Sequence, residues 1–304
     1  MIGIIILNYI TWEDTIKCIK SIYDTILTDL YHIYVVDNAS PNKPSDKVKT
    51  ILSGRKITFI ENKVNNGYAA GNNLGVKAAL DEKCKFILIA NSDIIFKMNS
   101  IEEMSEYLKE NPDVGIIGPK VLKPDGALQR SYMLNKTGMK EKYLVTTFLS
   151  KFYKKLWKKY YGINIDVIKD LKVYNLLGCC FMISRKCALD ITPFDEGTFL
   201  YEEELIIGIH MEQKGYVSLY YPQSVVIHTH GQSTKNVRAF SFICFVESEI
   251  YYCMKYLNAK AMQILPLYLI RTASYFLRSL KYKDFRKNTM NYFKSTWPRL
   301  FIKI

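Results

Sequence analysis

The sequence predicts an α/β protein, a mostly parallel sheet flanked by helices with a C-terminal amphipathic helical extension. Three observations carry that expectation. Through the first 95 residues short apolar runs suited to buried strands alternate with stretches of helical spacing, the order that builds a parallel sheet with right-handed crossovers. Two of these runs end abruptly in acids: His32 to Val36 meets Asp37, and Phe86 to Ala90 passes into Asn91, Ser92 and Asp93. The chain has 304 residues and is 49% hydrophobic, ample for a large core and unlike a disordered protein.

Taken in order, Ile2 to Leu7 reads as a strand, and Thr11 followed by Asp14 caps a helix reaching about Tyr23, with Ile16, Ile19 and Ile22 on one face. Beyond the strand ending at Asp37, Pro41 and Pro44 precede a short helix to Leu52, then a strand over Ile57 to Ile60. The polar turn Asn65, Asn66, Gly67 leads to a helix over Gly71 to Leu80 and the strand Phe86 to Ala90. A helix over Ile101 to Lys109 and a strand over Gly115 to Val121 follow. Tyr174 to Ile183 is apolar around Gly178, where a missing side chain would leave room for a substrate. Val217 to Val226 is a long strand or strand pair ending in Ile227, His228, Thr229, His230. Phe240 to Leu257 and Ala261 to Leu280 read as amphipathic helices.

The net charge of +13 is uneven: residues 235–304 hold 13 Lys/Arg against 3 Asp/Glu, and residues 136–159 hold 8 Lys against one Glu. These two segments, not the core, are expected to meet something anionic. In the second, Tyr143, Phe148, Phe152, Tyr153, Trp157, Tyr160 and Tyr161 interleave with the lysines; a solvated helical hairpin or a membrane-surface contact would both look this way. Seven cysteines without a CxxC pair suit neither a disulfide framework nor a zinc site and point to a reducing compartment. No stretch of about 20 uncharged apolar residues appears, and Met1 to Tyr9 lacks the layout of a signal peptide.

An acid at the C-terminal end of a strand lies where open α/β sheets bind ligands, so Asp37 and Asp93 are candidate contacts; the plainer reading of either is the start of a turn. No GxGxxG follows the first strand and no GxxxxGK[ST] exists, which removes the dinucleotide and P-loop readings. Glu202, Glu203 and Glu204 form a run of acids that a helix start alone would favour. His228 and His230 flank Thr229 at another strand end.

Eight segments in order resemble the inverting glycosyltransferases of family 2, specifically the bacterial rhamnosyltransferase-like branch with the GT-A fold: ILNY (6–9), VVDNAS (35–40), NNGYAAGNNLG (65–75), ANSD (90–93), PDGALQRS (124–131), LLGCCFMISR (176–185), FDEGTFLYEEE (194–204) and IHTHGQS (227–233). The resemblance implies that Tyr9 packs on the nucleobase and Asp37 accepts from its imide N–H, favouring a UDP- or dTDP-sugar donor. Asn65, Gly67 and Asn73 would line the nucleotide pocket, with Asn91 opening the DxD-like motif that Asp93 closes. Asp93 and His228 would hold Mg²⁺ or Mn²⁺ at the diphosphate, His230 being the lesser candidate. Glu203 and Glu204 fall on the family's ED pair, making Glu204 the base and Glu203 its alternative; Gly178 and Tyr201 would meet the acceptor. Here the pattern departs from the family, since Glu204 replaces Asp, Ile206 replaces a further Asp, and Asn91 replaces the first Asp of the DxD.

The implied organisation is a GT-A domain over 1–235, with a nucleotide-binding half (1–95) and an acceptor half (96–235) containing the basic, aromatic insertion 136–161, followed by a basic amphipathic extension over 236–304. The implied acceptor is a saccharide, linked to polyprenyl diphosphate, used in cell-surface polysaccharide synthesis. The extension, with Arg271, Arg278, Lys281, Lys283, Arg286 and Lys287, suggests a cytoplasmic protein held peripherally on the anionic inner face of the membrane; a homo-oligomer interface is the competing reading. The alternatives for the whole chain are an inactive nucleotide-sugar-binding relative and a basic nucleic-acid-binding protein. The second is disfavoured by a core that is not basic and by the lack of a nucleic-acid-binding signature, so no nucleic acid is expected as a partner.

Overall fold

The computed structural model describes residues 1–162, 168–229 and 238–302. In its first half β1 (Ile2–Asn8), α1 (Trp12–Thr25), β2 (Tyr31–Asp37), α2 (Asp46–Leu52), β3 (Ile57–Glu61), α3 (Tyr68–Asp81) and β4 (Phe86–Asn91) alternate as expected. Then come β5 (Ile94–Phe96), α4 (Ser100–Glu110), β6 (Val114–Leu122), β7 (Leu128–Gln129), β8 (Tyr132–Met133), α5 (Met139–Leu144), a 3₁₀ turn and α6 (Lys154–Tyr161). The remainder is β9 (Leu171–Val173), β10 (Asn175–Leu176), β11 (Cys180–Ser184), α7 (Arg185–Ile191), α8 (Glu203–Lys214), β12 (Val217–His228), α9 (Arg238–Tyr256), α10 (Ala261–Lys281), α11 (Lys283–Lys287) and α12 (Thr289–Thr296).

The main sheet runs β3-β2-β1-β4-β11-β6-β12-β5. Strands β3, β2, β1 and β4 are parallel, β11 runs against both neighbours, and β12 is parallel to β6. The strands read as continuous apolar runs because both faces are covered. Ile4 and Ile6 of β1 join a core with α1 and α4, whereas Ile5 joins one with α3 and α7. All three isoleucines are fully buried, each contributing roughly 2 kcal/mol of transfer free energy.

A third core binds the C-terminal helices to the acceptor half. Leu205, Ile206 and Ile209 of α8 cluster with Ile243, Val246, Ile250, Leu267, Tyr275, Phe285 and Tyr292 of α9 to α12. Asp195, in the FDEG loop before α8, fixes the junction: its carboxylate accepts from the Tyr251 hydroxyl at 2.8 Å, from Lys255 Nζ at 2.7 Å and from the Tyr256 hydroxyl. Burial raises this carboxyl, but Lys255, Tyr256, the Gly197 N–H and Tyr251 outweigh it and bring it down to about 2. Because the folded pKa lies below the ordinary value near 3.9, the anion stabilises the fold above about pH 4, and that contribution is lost as pH falls from about 4 to about 2. Asp195→Asn is therefore expected to cost roughly 1–2 kcal/mol at pH 7 and to flatten the acid limb of stability in that window. Urea melts across pH 2–7 check it; parallel acid limbs for variant and parent would contradict it.

The expectation that the two basic segments face outward is corrected at two residues. Lys142 of α5 and Arg271 of α10 are buried inside this third region. Lys142 Nζ lies 2.5 Å from Glu202 and 3.5 Å from Glu249, and Arg271 donates to both Glu249 oxygens at 2.7 and 2.8 Å. All seven cysteines are buried and free.

Candidate active site

The hinge of the site is the step from β4 to β5. The apolar run of β4 ends at Asn91, whose backbone N–H donates to Cys179 O at 2.9 Å, and the chain re-enters the sheet only three residues later as β5. Pairing of β5 with β12 sets His228 opposite Ile94, beside Asp93. His228 Nε2 is 3.1 Å from Asp93 Oδ2, and His228 Nδ1 is 3.1 Å from Gln129 Oε1 on β7, which orients the ring. Thr229 donates both its backbone N–H, at 2.9 Å, and its hydroxyl, at 3.0 Å, to Asp93 O, pinning the backbone independently of the carboxylate.

Asp93 opens onto a cavity of about 280 Å³. One wall is the nucleotide-binding half, with Tyr9, Thr11, Asn38, Asn65, Gly67 and Tyr68; Asn91 and Ser92 form the strand end; Phe199, Leu200, Phe240 and Ser241 close the far side. Tyr9 is 39% exposed, leaving its ring face open to a ligand. Asn38 Nδ2 donates to Asn65 Oδ1 at 2.9 Å and to Gly67 O at 3.0 Å, so the asparagines hold the turn before α3. Gly67 is required there: its φ is +100°, and a Cβ would sit 2.3 Å from Phe199 O.

The second carboxylate group comes from α8. Glu202 adopts the left-handed conformation (φ 73°) just before that helix. Glu203 is buried, while Glu204 is half-buried with Oε1 accepting from Gly178 N–H at 3.1 Å. Gly178 and Cys179 adjoin the end of β4, and the Cys179 thiol is pushed up to about 12 by burial and then by Asp93 and Glu204 together. Burial, followed by the neighbouring Glu204, holds the Glu203 carboxyl well above the usual carboxylate range.

Comparison with known sequences decides the family. The profile of "Glycosyl transferase family 2" matches residues 2–191.

The chain belongs to glycosyl transferase family 2.

This family 2 chain is 28% identical over 211 residues to a low-salt glycan biosynthesis hexosyltransferase of Haloferax volcanii, covering 67% of this chain and 59% of that one. It is 26% identical over 154 residues to an N-acetylglucosaminyl-diphospho-decaprenol L-rhamnosyltransferase of Mycobacterium tuberculosis, covering 49% and 48%. The match thus spans about half to three-fifths of these relatives' lengths. Among solved structures, GalNAc-T7 with UDP, GalNAc and Mn²⁺ superposes with a TM-score of 0.61 at 15% identity, covering 88% of this chain and 52% of that one. The fold is therefore the GT-A arrangement expected from the motifs.

Against that fold, the family 2 residues fall into three groups. Tyr9, Asn65, Gly67, Asn91 and Asp93 line one cavity, with His228 bound to Asp93. Asp37 lies beneath it: it is buried, and its Oδ1 accepts from Asn8 Nδ2 at 2.9 Å and from the Ser40 hydroxyl. Asn73 is placed elsewhere. Its amide donates to Phe194 O at 2.9 Å and accepts from Phe194 N–H at 2.8 Å, so it ties α3 to the FDEG loop instead of facing the nucleotide wall. Nor is the space over Gly178 open for an acceptor: a Cβ there would lie 3.2 Å from Glu204 Oε1 and 3.3 Å from the Tyr68 hydroxyl. Tyr201 is exposed and packs edge-on against Phe245 of α9 at 5.9 Å. His230 lies outside the described residues. The motifs did not single out Asn38, Thr11, Phe199, Phe240 or Ser241. Asn38 and Phe199 had a signal, since they lie in the segments VVDNAS (35–40) and FDEGTFLYEEE (194–204).

A divalent cation fits the donor set of this site. Asp93 Oδ2 and His228 Nε2, 3.1 Å apart, span about one edge (roughly 3.0 Å) of an octahedron with bonds near 2.1 Å. Among the described residues no group of three His, Cys, Asp or Glu gathers as a self-sufficient metal cage. Two protein donors leave positions for diphosphate oxygens and water, the usual arrangement where substrate phosphates share a Mg²⁺.

Proposed function

We propose that the chain is a metal-dependent inverting glycosyltransferase, moving a sugar from a UDP- or dTDP-sugar to a saccharide carried on a polyprenyl diphosphate during cell-surface glycan synthesis. The observation that carries this reading is a convergence at the end of β4: Asp93, beside His228, follows Asn91, whose N–H donates to Cys179 O, and Glu204 accepts from the adjacent Gly178 N–H. The mycobacterial relative's name, with its decaprenol-linked sugar, supports the lipid-linked acceptor.

In this mechanism Tyr9 packs on the base, and Asp37 supports the pocket floor through Asn8 and Ser40. Bound at Asp93 and His228, Mg²⁺ or Mn²⁺ would offset the charge that builds on the departing diphosphate. Glu204 takes the proton of the attacking acceptor hydroxyl, its Oε1 oriented by the Gly178 N–H. Glu203 is the poorer base because its carboxyl is buried, and burial, with Glu204 beside it, disfavours its anion.

That difference supplies the test. Glu204→Gln is expected to lower transfer by about 10²–10⁴-fold, whereas Glu203→Gln, which removes a buried carboxyl set back from the cleft, changes it little. The assay uses a panel of UDP- and dTDP-sugars that first raise the melting temperature in the presence of Mn²⁺. The opposite ranking would move the base to Glu203, and a panel in which donors bind but none turns over would favour the inactive relative.

The extension supports peripheral attachment to an anionic membrane. Helix α10 buries Ile264, Tyr268, Arg271 and Tyr275 on one face yet exposes Met262, Leu269, Phe276 and Leu280 on the other, so it is apolar on both sides. Arg278, Lys281, Lys283, Arg286 and Lys287 are exposed around the end of that outer stripe. Among the described residues no helix is long and apolar enough to cross a membrane. Each basic residue near an anionic leaflet contributes about 1 kcal/mol, so binding should weaken with salt. Sedimentation with phosphatidylserine-containing liposomes is expected to pull the protein down at low salt and less at high salt; no binding at either, with a dimer in solution, would favour the homo-oligomer interface.

A further inference from the structure

We propose that Phe199, Phe240 and Ser241 form a subsite for the acceptor sugar, with the C–H face of a pyranose lying on the two rings and one of its hydroxyls bonded to Ser241. The proposal rests on the glycosyltransferase reading and names the wall of the cleft that takes the acceptor.

Three observations point there. Phe240, in the first turn of α9, is 49% exposed although that helix buries most of its length, and it lines the same cavity as Asp93. Its ring meets Phe199 edge-on, with centroids 5.7 Å apart and planes at 82°, so the pair forms a fixed apolar corner. Next to it, Ser241 lines the cavity with a buried hydroxyl that lies near the Tyr201 hydroxyl but closes no hydrogen bond of ordinary geometry among the described residues. An unpaired buried hydroxyl is unfavourable, and a ligand hydroxyl would relieve it.

The corner is rigid and registered to the donor side. Tyr68 N–H donates to Phe199 O at 2.9 Å, next to the turn at Gly67, and the Ser248 hydroxyl of α9 donates to Leu200 O at 2.9 Å. The nucleotide wall and this wall therefore adjoin at the Gly67–Tyr68 turn and line one cavity together. The chemistry favours a sugar over other occupants. A pyranose offers a flat C–H face flanked by hydroxyls, matching ring plus hydroxyl, whereas a polyprenyl chain would leave Ser241 unpaired. On the proposed mechanism the nucleobase is served elsewhere in the cavity, by Tyr9 and the asparagines. Phe240 and Ser241 also lie beyond residue 191, where the family profile ends, and beyond the last segment that resembles the family, at 227–233.

The experiment uses the full chain and N-acetylglucosaminyl diphosphate on a short polyprenol as acceptor probe. Phe240→Leu and Ser241→Ala are each expected to raise the acceptor KM about 10-fold without moving the donor KM, while Phe240→Tyr restores it to within about threefold. Equal rises in both KM values, or a Leu variant as good as the Tyr variant, would overturn the subsite; the latter result would assign the wall to lipid. A readout independent of turnover separates this from failure of the enzymatic reading. In Phe240→Trp, fluorescence is expected to respond to at least one of a panel of methyl pyranosides (N-acetylglucosamine, glucose, galactose, rhamnose), relative to the parent protein. No response to any of them would overturn the proposal even in an active enzyme.

Discussion

Asp93→Ala is expected to lower sugar transfer by about 10³-fold while leaving the fold intact. The fold survives because what fixes this position is backbone: Asp93 O accepts two bonds from Thr229, and β4 and β5 flank it on paired strands. The carboxylate is partly open to the cavity, so its removal creates no buried void. What is lost, on the proposed mechanism, is the anionic anchor for the cation that would face the diphosphate. His228→Ala keeps that anchor and removes its neighbour, and Gln129→Ala removes only the bond that orients the imidazole. The expected order of loss is thus Asp93, then His228 at roughly 10–100-fold, then Gln129. Initial rates with saturating donor measure it, and electron paramagnetic resonance of Mn²⁺ with UDP present supplies a binding readout that does not need turnover. A wild-type enzyme equally active in excess chelator, or an Asp93→Ala variant retaining both rate and Mn²⁺ binding, would sink the assignment.

The nucleotide-binding half was legible because its signals are local. β1, β2 and β4 are runs of largely buried apolar residues, and the first polar side chain marks each end, so Asp37 closes β2 and Asp93 lies two residues past the end of β4. Helix α3 begins at Tyr68, three residues before the expected Gly71, because Gly67 with its positive φ is the true break and the Asn-rich stretch after it continues as helix. Strand β5 escaped notice: three residues carry no period, and only its partner β12 makes it a strand. The antiparallel β11 between β4 and β6 is likewise a tertiary decision that an apolar run cannot reveal.

Pairings across long separations account for the rest. Asn73 looked like a pocket residue because it sits in an Asn/Gly-rich motif, but its partner Phe194 is 121 residues away. The basic tail and insertion were read as surface because most lysines are, and counting charges cannot distinguish the two cations that the fold takes inside. Glu202 is the clearest case. Within the acid run it is indistinguishable from Glu203 and Glu204, yet the three face different surroundings: Lys142 for the first, burial that pushes the carboxyl up for the second, and the Gly178 amide for the third.

Lys142→Met is expected to be the most destabilising of the single substitutions considered, by about 3–5 kcal/mol. Lys142 is 2% exposed and faces two carboxylates, Glu202 and Glu249; burial disfavours its charge, but these two anions hold the ammonium in its charged form. Without it Glu249 still has Arg271, which donates to both its oxygens, but Glu202 loses the partner of both of its own. Glu202→Gln should cost less, because Lys142 then retains Glu249 at 3.5 Å. Pairing Lys142→Met with Glu202→Gln removes both charges and should recover much of the loss, since an apolar or neutral replacement of a whole buried pair is often nearly neutral. Denaturant melts of the two single variants and the double give the coupling directly; a double variant as unstable as the two losses added together would refute it. The consequence reaches the chemistry. Glu202 holds its left-handed backbone immediately before α8, and Glu203 and Glu204 are the first two residues of that helix. Unpairing Glu202 therefore loosens the start of the helix that carries Glu204, the proposed base. The doubly substituted protein should fold, yet transfer sugar more slowly than its recovered stability alone would predict.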